Sequence, residues 1–163
     1  MKAKLKAALI AFLATGVLGI QSPAYALTPN DIVGTWKIVS YVHEAAGKTE
    51  HPLGEHPSGY LVIGGDHRCT QIVVGQGRKP AQDDEGYANL VKSMISYSAP
   101  FTYEDHADGL KITLRPDVSW NPAMTGASII RFVSLEGDRL TVKGPQGPAG
   151  AVTVKFERTK QER

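Results

Sequence analysis

Five histidines are the side chains best suited to acid–base chemistry near neutral pH, because imidazole titrates in that range. They are His43, His51, His56, His67 and His106. Zinc sites place His and Cys at short fixed separations, and these histidines show none of those separations. The single cysteine, Cys69, has no neighbouring cysteine and is predicted to be a small buried residue rather than a nucleophile. The sequence therefore predicts neither a metal site nor a bound cofactor.

The motifs of common hydrolases and nucleotide-binding proteins are missing. The sequence has no Gly-x-Ser-x-Gly turn, and no glycine-rich phosphate-binding loop follows a predicted strand. The longest basic run is the pair Arg78-Lys79, which gives no electrostatic footprint for nucleic acid.

Aromatic residues in and beside the predicted strands are the candidates for the wall of a ligand cavity. A ring supplies a large apolar area, while a phenol or indole group can orient a polar ligand atom. The candidates are Tyr41, Tyr97, Phe101, Tyr103 and Trp120. Ordinary core packing would explain any one of them equally well.

Arg115 is the candidate for anchoring an anionic ligand group. By strand alternation its side chain shares a face with Lys111 and Thr113, which favours a solvent-exposed position. If the strand bulges before Pro116, the guanidinium turns instead into the mouth of the fold and binds a carboxylate through two hydrogen bonds.

The sequence predicts an all-β domain that positions these candidates. Short runs of alternating apolar and polar residues are separated by turns rich in Gly, Pro and Asp. Eight strands are predicted, at 33–43, 60–63, 70–74, 97–103, 110–114, 128–135, 140–142 and 152–157. One helix is predicted at about 83–96, where apolar residues follow a helical period and Asp83 or Asp84 can cap the start. Eight antiparallel strands suit an up-and-down barrel with room for one small ligand. A β-sandwich remains the alternative.

The first 26 residues predict a cleavable secretory signal peptide. Three lysines precede an apolar run at 7–20, and Ala24-Tyr25-Ala26 follows the small-x-small rule for cleavage. The run is too short for a membrane span, and no second apolar run follows it. Cleavage after Ala26 would leave the domain at 27–163.

Cleavage would also change the charge of the protein. The leader contains three basic and no acidic residues, so its removal takes the formal net charge from +2 to −1. With one cysteine the domain has no internal disulfide and depends on its hydrophobic core. The expected location is the periplasm, or the medium if the protein is secreted.

Four short segments carry a resemblance to a known family. They are Gly34-Thr35-Trp36, then His51-Pro52-Leu53-Gly54 with Pro57-Ser58-Gly59-Tyr60, then Asn121-Pro122 with Gly126 and Arg131, and finally the segment 135–141. From Ile32 to Arg158 the chain resembles the lipocalin-like domain proteins, a bacterial and fungal branch of the calycin barrels. The resemblance implies a barrel with an internal cavity and implies no particular activity.

The resemblance also implies roles for individual residues. Gly34 and Trp36 would open the first strand, and Arg131 would stack on the Trp36 indole in a cation–π contact that seals the closed end. His51 lies in the matched loop at the expected open end, which makes it the candidate catalytic residue. A hydrogen bond that fixes this loop is the structural alternative for His51.

Two main functions remain open. In the first, an exported lipocalin-like protein binds one small hydrophobic molecule inside the barrel. In the second, a cofactor-independent isomerase, cyclase or lyase acts on a hydrophobic or aromatic substrate in the same cavity, with His51, Tyr97 or Tyr103, and Arg115 as acid, base and charge-stabilising groups. A protein-binding role is a third possibility, and a barrel filled by its own side chains would favour it.

Overall fold

Eight antiparallel strands close into a barrel in the computed structural model, which describes residues 27–160. In chain order the strands are β1 (Gly34–Ala45), β2 (Lys48–Glu50), β3 (Ser58–Ile63), β4 (Arg68–Val74), β5 (Met94–His106), β6 (Gly109–Leu114), β7 (Val118–Ser119), β8 (Ile129–Glu136), β9 (Arg139–Lys143) and β10 (Ala151–Arg158). The short strands β2 and β7 extend the sheet beside β1 and β5, and the other eight form the barrel. Because β10 pairs with β1, the sheet has no open edge there. The predicted barrel is confirmed, and the β-sandwich alternative is wrong.

Strand alternation fills the interior with apolar side chains. Along β6 the side chains of Leu110, Ile112 and Leu114 are buried, while those between them are more exposed. Along β4, Cys69, Gln71 and Val73 are buried in the same way. Side chains two residues apart lie on the same face of a strand, so each strand gives one row to the interior.

A β-bulge in β1 changes which side chains face inward. Ile38 pairs with Phe156, but the next pair is Ser40 with Lys155, so Val39 is the extra residue in β1. Without a bulge, Tyr41 would lie on the opposite face from Ile38, because they are three residues apart. The bulge restores Tyr41 to the interior, opposite the buried Val154.

One end of the barrel is sealed. A 3-10 helix at Pro29–Ile32, which begins with a capping box between Thr28 and Asp31, places Ile32 against the buried Trp36. The indole Nε1 of Trp36 donates to the Ile32 carbonyl at 2.9 Å. We call this end of the barrel, with Ile32 and Trp36, the closed end.

Arg158, and not Arg131, lies on the Trp36 ring, with its guanidinium carbon 4.1 Å from the ring centroid. Trp36 and Arg158 are cross-strand partners between β1 and β10, whereas Arg131 lies in β8 opposite Ile112. The predicted pairing of Trp36 with Arg131 is therefore wrong. Gly34 allows the contact, because a Cβ at that position would lie 2.8 Å from Nη1 of Arg158.

The helix is shorter than predicted. Helix α1 spans Asp84–Lys92, and the carboxylate of its N-cap, Asp83, accepts a hydrogen bond from the Gly86 amide at 2.7 Å. Met94 and Ile95, which continue the helical period, instead begin β5 and pair with Val74 and Val73. Pairing in the barrel outweighs the local period at these two residues. A second 3-10 helix, Pro122–Met124, lies between β7 and β8.

Candidate functional site

Two adjacent cavities lie inside the barrel. The larger has a volume of about 280 Å³ and the smaller about 40 Å³. The apolar part of the larger cavity wall is formed by Ile95, Met124, Val142, Val152, Val154 and Phe156. Its polar part is formed by Tyr41, Gln71, Tyr97, Trp120 and Arg131. Ile95 is the second residue of β5, and Val152 is the second residue of β10. Both strands begin at the end of the barrel opposite Trp36, so the larger cavity lies toward that end.

Four residues line both cavities and form the layer between them: Gln71, Tyr97, Arg131 and Val142. The Tyr97 hydroxyl donates to Oε1 of Gln71 at 3.2 Å. Burial raises the pKa of the Tyr97 hydroxyl, so this group stays a neutral donor. Burial also raises the pKa of Tyr41, with the nearby Arg131 charge acting in the opposite direction. A guanidinium and two neutral phenols therefore lie together in the interior.

Among the described residues that line the larger cavity, Arg131 is the only charged one. Its Nη1 donates to the Ile130 carbonyl at 2.8 Å. Within residues 27–160 the ion pairs involve other arginines, lysines and histidines, and none includes Arg131. A partly buried charge without a counterion is costly, which makes Arg131 an unusual residue in an otherwise uncharged wall.

Trp120 supplies a second donor to the wall of the larger cavity. It follows β7, and its backbone amide donates to the Ser96 carbonyl at 2.9 Å, which ties this segment to β5. Its indole Nε1 is buried and has no hydrogen-bond partner within the described residues. Buried donors in proteins are nearly always paired, so an unpaired indole N–H in a residue of the cavity wall is unusual.

A barrel of eight strands around an internal cavity is an architecture that holds small ligands. The family model described as the lipocalin-like domain matches residues 33–153. The chain belongs to the lipocalin-like domain family. The match confirms the resemblance drawn from the sequence and extends from β1 into β10, including Arg131. No curated protein matches the sequence significantly.

This lipocalin-like domain brings three of the predicted ligand-binding residues together. Tyr41, Tyr97 and Trp120 line the larger cavity, and Phe101 lines the smaller one. Cys69 also lines the smaller cavity, where burial raises the pKa of its thiol to about 12. Such a thiol is protonated and inert near neutral pH. Contact of these residues with a ligand stays a prediction.

Tyr103 lies outside both cavities of the lipocalin-like domain, contrary to the prediction. The pairing of β4 with β5 ends at Arg68 and Pro100, so Tyr103 lies beyond the part of β5 that has strands on both sides. Its side chain is 43% exposed and meets the His67 ring edge-on, with the ring centroids 5.5 Å apart.

Arg115 also lies outside the cavities, because the bulge that would turn it inward is not formed. The β5–β6 ladder is regular up to its last pair, Phe101 with Leu114, and beyond it the Arg115 amide donates to the Pro100 carbonyl at 3.1 Å. Arg115 is consequently an exposed residue.

His51 does not line either cavity of the lipocalin-like domain. Its carbonyl accepts from the Gly54 amide at 2.8 Å in a tight turn. Its buried Nδ1 lies 3.5 Å from Oε2 of Glu55 and forms no hydrogen bond within the described residues. The position of His51 is that of a loop residue and gives it no contact with a molecule in the barrel.

Sequence reasoning missed the roles of Gln71 and Arg131 in the cavity wall. The signal was present, because each lies between apolar residues of an inward-facing row. Gln71 lies between Cys69 and Val73, and Arg131 lies between Ile129 and Val133. A polar residue in such a row marks either a structural network or a ligand contact.

Residues 27–160 contain no cluster of three or more His, Cys, Asp or Glu side chains that could hold a metal ion. In the same part of the chain, no helix combines the length and the apolar character needed to cross a membrane. The predicted signal peptide, residues 1–26, lies outside the described residues.

Proposed function

We propose that this lipocalin-like protein is exported and binds one small, largely apolar molecule inside its barrel. The cavity of about 280 Å³ carries the proposal. Six aliphatic, thioether and phenyl side chains supply apolar surface, and three further aromatic side chains add a phenol or indole group beside it. This combination is typical of cavities that bind and orient small molecules.

The volume limits the size of the ligand. Liquid water occupies about 30 Å³ per molecule, so the larger cavity corresponds to about nine waters. A ligand that fills it has on the order of ten non-hydrogen atoms. Single-ring and fused two-ring compounds or short aliphatic chains are of this size.

The wall of the larger cavity favours binding over catalysis. An isomerase, cyclase or lyase of the kind considered above needs a group that accepts a proton from its substrate. Within the described residues, those lining this cavity include no His, Asp or Glu, and the two tyrosines have raised pKa values. Tyr97 and Arg131 can hold a ligand group in place without transferring a proton.

Two Val→Phe variants test whether the ligand binds in the larger cavity. Val152→Phe fills the larger cavity, and Val39→Phe adds the same ring at an exposed position in the β1 bulge. We expect a neutral naphthalene alcohol to bind the wild type and Val39→Phe equally, and to bind Val152→Phe much more weakly. Calorimetric titration measures the affinity, and circular dichroism confirms that both variants are folded. Equal binding to all three proteins would place the site outside the barrel.

Export is tested separately. The protein expressed in its own host should be recovered from the periplasm or medium with Leu27 as its first residue, as shown by mass spectrometry of the intact chain. Native mass spectrometry of the same material, before and after denaturation, would reveal a bound small molecule. Recovery of the uncleaved chain from the cytoplasm would contradict export.

A further inference from the structure

The polar groups around the larger cavity include more hydrogen-bond donors than acceptors. From this surplus we infer that the ligand is a small organic anion, a carboxylate with an apolar body, whose acidic group binds Arg131. The inference rests on the proposed function, because it names the chemical class of the molecule in the barrel.

Arg131 and Trp120 carry N–H groups that have no acceptor within the described residues. A guanidinium carries several N–H groups in a planar fork, and Arg131 uses Nη1 on the Ile130 carbonyl. The remaining N–H groups of Arg131 have no carboxylate partner within residues 27–160. Trp120 adds the buried indole N–H that has no partner.

Gln71, which lines both cavities with Arg131, offers an acceptor that is already used. Oε1 of Gln71 accepts from the Tyr97 hydroxyl, and burial keeps that hydroxyl protonated. Within residues 27–160, the side chains that line the two cavities include no Asp or Glu. A neutral apolar ligand would therefore leave the Arg131 charge without a counterion inside the barrel, whereas an anion would supply both the charge and the acceptors.

The geometry of the wall favours a carboxylate. A guanidinium fork binds the two oxygens of a carboxylate through parallel hydrogen bonds. Arg131 lies in the layer between the two cavities, so the apolar body of the ligand extends from it into the larger one, along Ile95 and Val152. The ring of Tyr41, turned inward by the bulge in β1, lies on the same wall.

Two probes of equal size test the charge of the ligand. A naphthalene carboxylate and the corresponding carboxamide have the same ring and the same number of non-hydrogen atoms. We expect the wild-type protein to bind the carboxylate on the order of tenfold to a hundredfold more tightly, because a hydrogen bond to a charged group is stronger than one between neutral groups. Calorimetric titration at neutral pH measures both affinities.

Three arginine variants locate the effect. Arg131→Gln should remove the preference by weakening carboxylate binding, with little change for the carboxamide. Arg115→Gln removes an exposed arginine outside the cavities and should leave both affinities unchanged. Arg131→Lys keeps the charge but loses the planar fork of N–H groups, so it should bind the carboxylate with intermediate affinity. This variant also provides the test if Arg131→Gln does not fold.

The outcomes separate the two proposals. Equal affinity of the wild type for both probes, together with weak binding to Val152→Phe, would overturn the anion inference and leave the proposed function standing. A carboxylate preference that survives in Arg131→Gln would also overturn the inference, because the charge would then be recognised elsewhere. Failure of the wild type to bind either probe at millimolar concentration would count against both proposals for molecules of this size.

Discussion

Arg158 joins three parts of the closed end through one guanidinium group. The group lies 4.1 Å from the centroid of the Trp36 ring, while Nη1 donates to the Val33 carbonyl at 2.8 Å and Nη2 to the Asp31 carbonyl at 2.6 Å. The end of β10, the first 3-10 helix and the start of β1 are thereby held together.

Replacement of Arg158 should destabilise the fold. Arg158→Ala removes a cation–π contact and two charge-assisted hydrogen bonds, for an expected loss of about 2 to 3 kcal/mol in the free energy of unfolding. The matched variant Arg139→Ala removes a 78% exposed arginine, and its expected cost is at most about 0.5 kcal/mol. Urea unfolding of the two variants measures the difference. Equal losses would show that the stacked arginine adds nothing beyond an ordinary surface residue.

Gly34→Ala should disturb the same contact. The added Cβ would lie 2.8 Å from Nη1 of Arg158, and the backbone φ of +142° is unfavourable for Ala. Gly65→Ala is the matched control, because nothing lies within 4 Å of the position of its Cβ. We expect Gly34→Ala to cost about 1 to 3 kcal/mol. If contact with Arg158 causes part of this cost, Gly34→Ala will cost less in an Arg158→Ala background.

The ion pair between Arg68 and Asp117 should make stability depend on acid pH. Two hydrogen bonds of 2.9 and 2.7 Å join the side chains and hold the pKa of the Asp117 carboxyl below its usual value of 3.8. A carboxyl with a lowered pKa stabilises the fold above the pKa of the unfolded chain. That contribution is lost as the pH falls through the pKa of the folded state.

Asp117→Asn tests this dependence. The melting temperature of the wild type should exceed that of the variant near neutral pH, and the difference should shrink as the pH falls through and below 3.8. Melting curves across this range, followed by circular dichroism, check the expectation. A difference that stays constant with pH would mean that the variant affects the fold by another route.

The two tryptophans should report differently on a ligand. Trp120 lines the larger cavity, whereas Trp36 is buried at the closed end. A compound that enters the barrel should therefore change the emission of Trp120 and leave that of Trp36 nearly constant. The change should persist in Trp36→Phe and vanish in Trp120→Phe, since the chain has only these two tryptophans. Persistence in Trp120→Phe would place the binding site away from the larger cavity.

The sequence predicts the strands of this protein well because alternation is a local property. Residues of β6 such as Leu110, Ile112 and Leu114 show their buried face directly in the sequence. The register between distant strands is not local. Which arginine lies on Trp36 depends on the pairing of β1 with β10, and this pairing selects Arg158 over Arg131.

The candidate site was partly predictable for the same reason. Tyr97 and Trp120 are large aromatic residues that a cavity wall commonly uses. The inward position of Tyr41 depends on the bulge at Val39, which the sequence pattern does not indicate. The resemblance implies a place for Arg131 at the closed end, although its position between Ile129 and Val133 indicates the interior.

The closed end has a kinetic consequence. With Trp36 and Ile32 packed there, a ligand bound as proposed would enter and leave at the opposite end, beside the segment 120–126. That segment is attached at both ends, through the Trp120 amide to Ser96 and the Gly126 amide to Pro116. For a ligand bound as proposed, the residence time would depend on the opening of this segment, whereas the affinity would depend on the cavity wall. Changes at Ala123 or Thr125, which do not line the cavity, would alter the speed of uptake and release together, with little effect on the equilibrium between them.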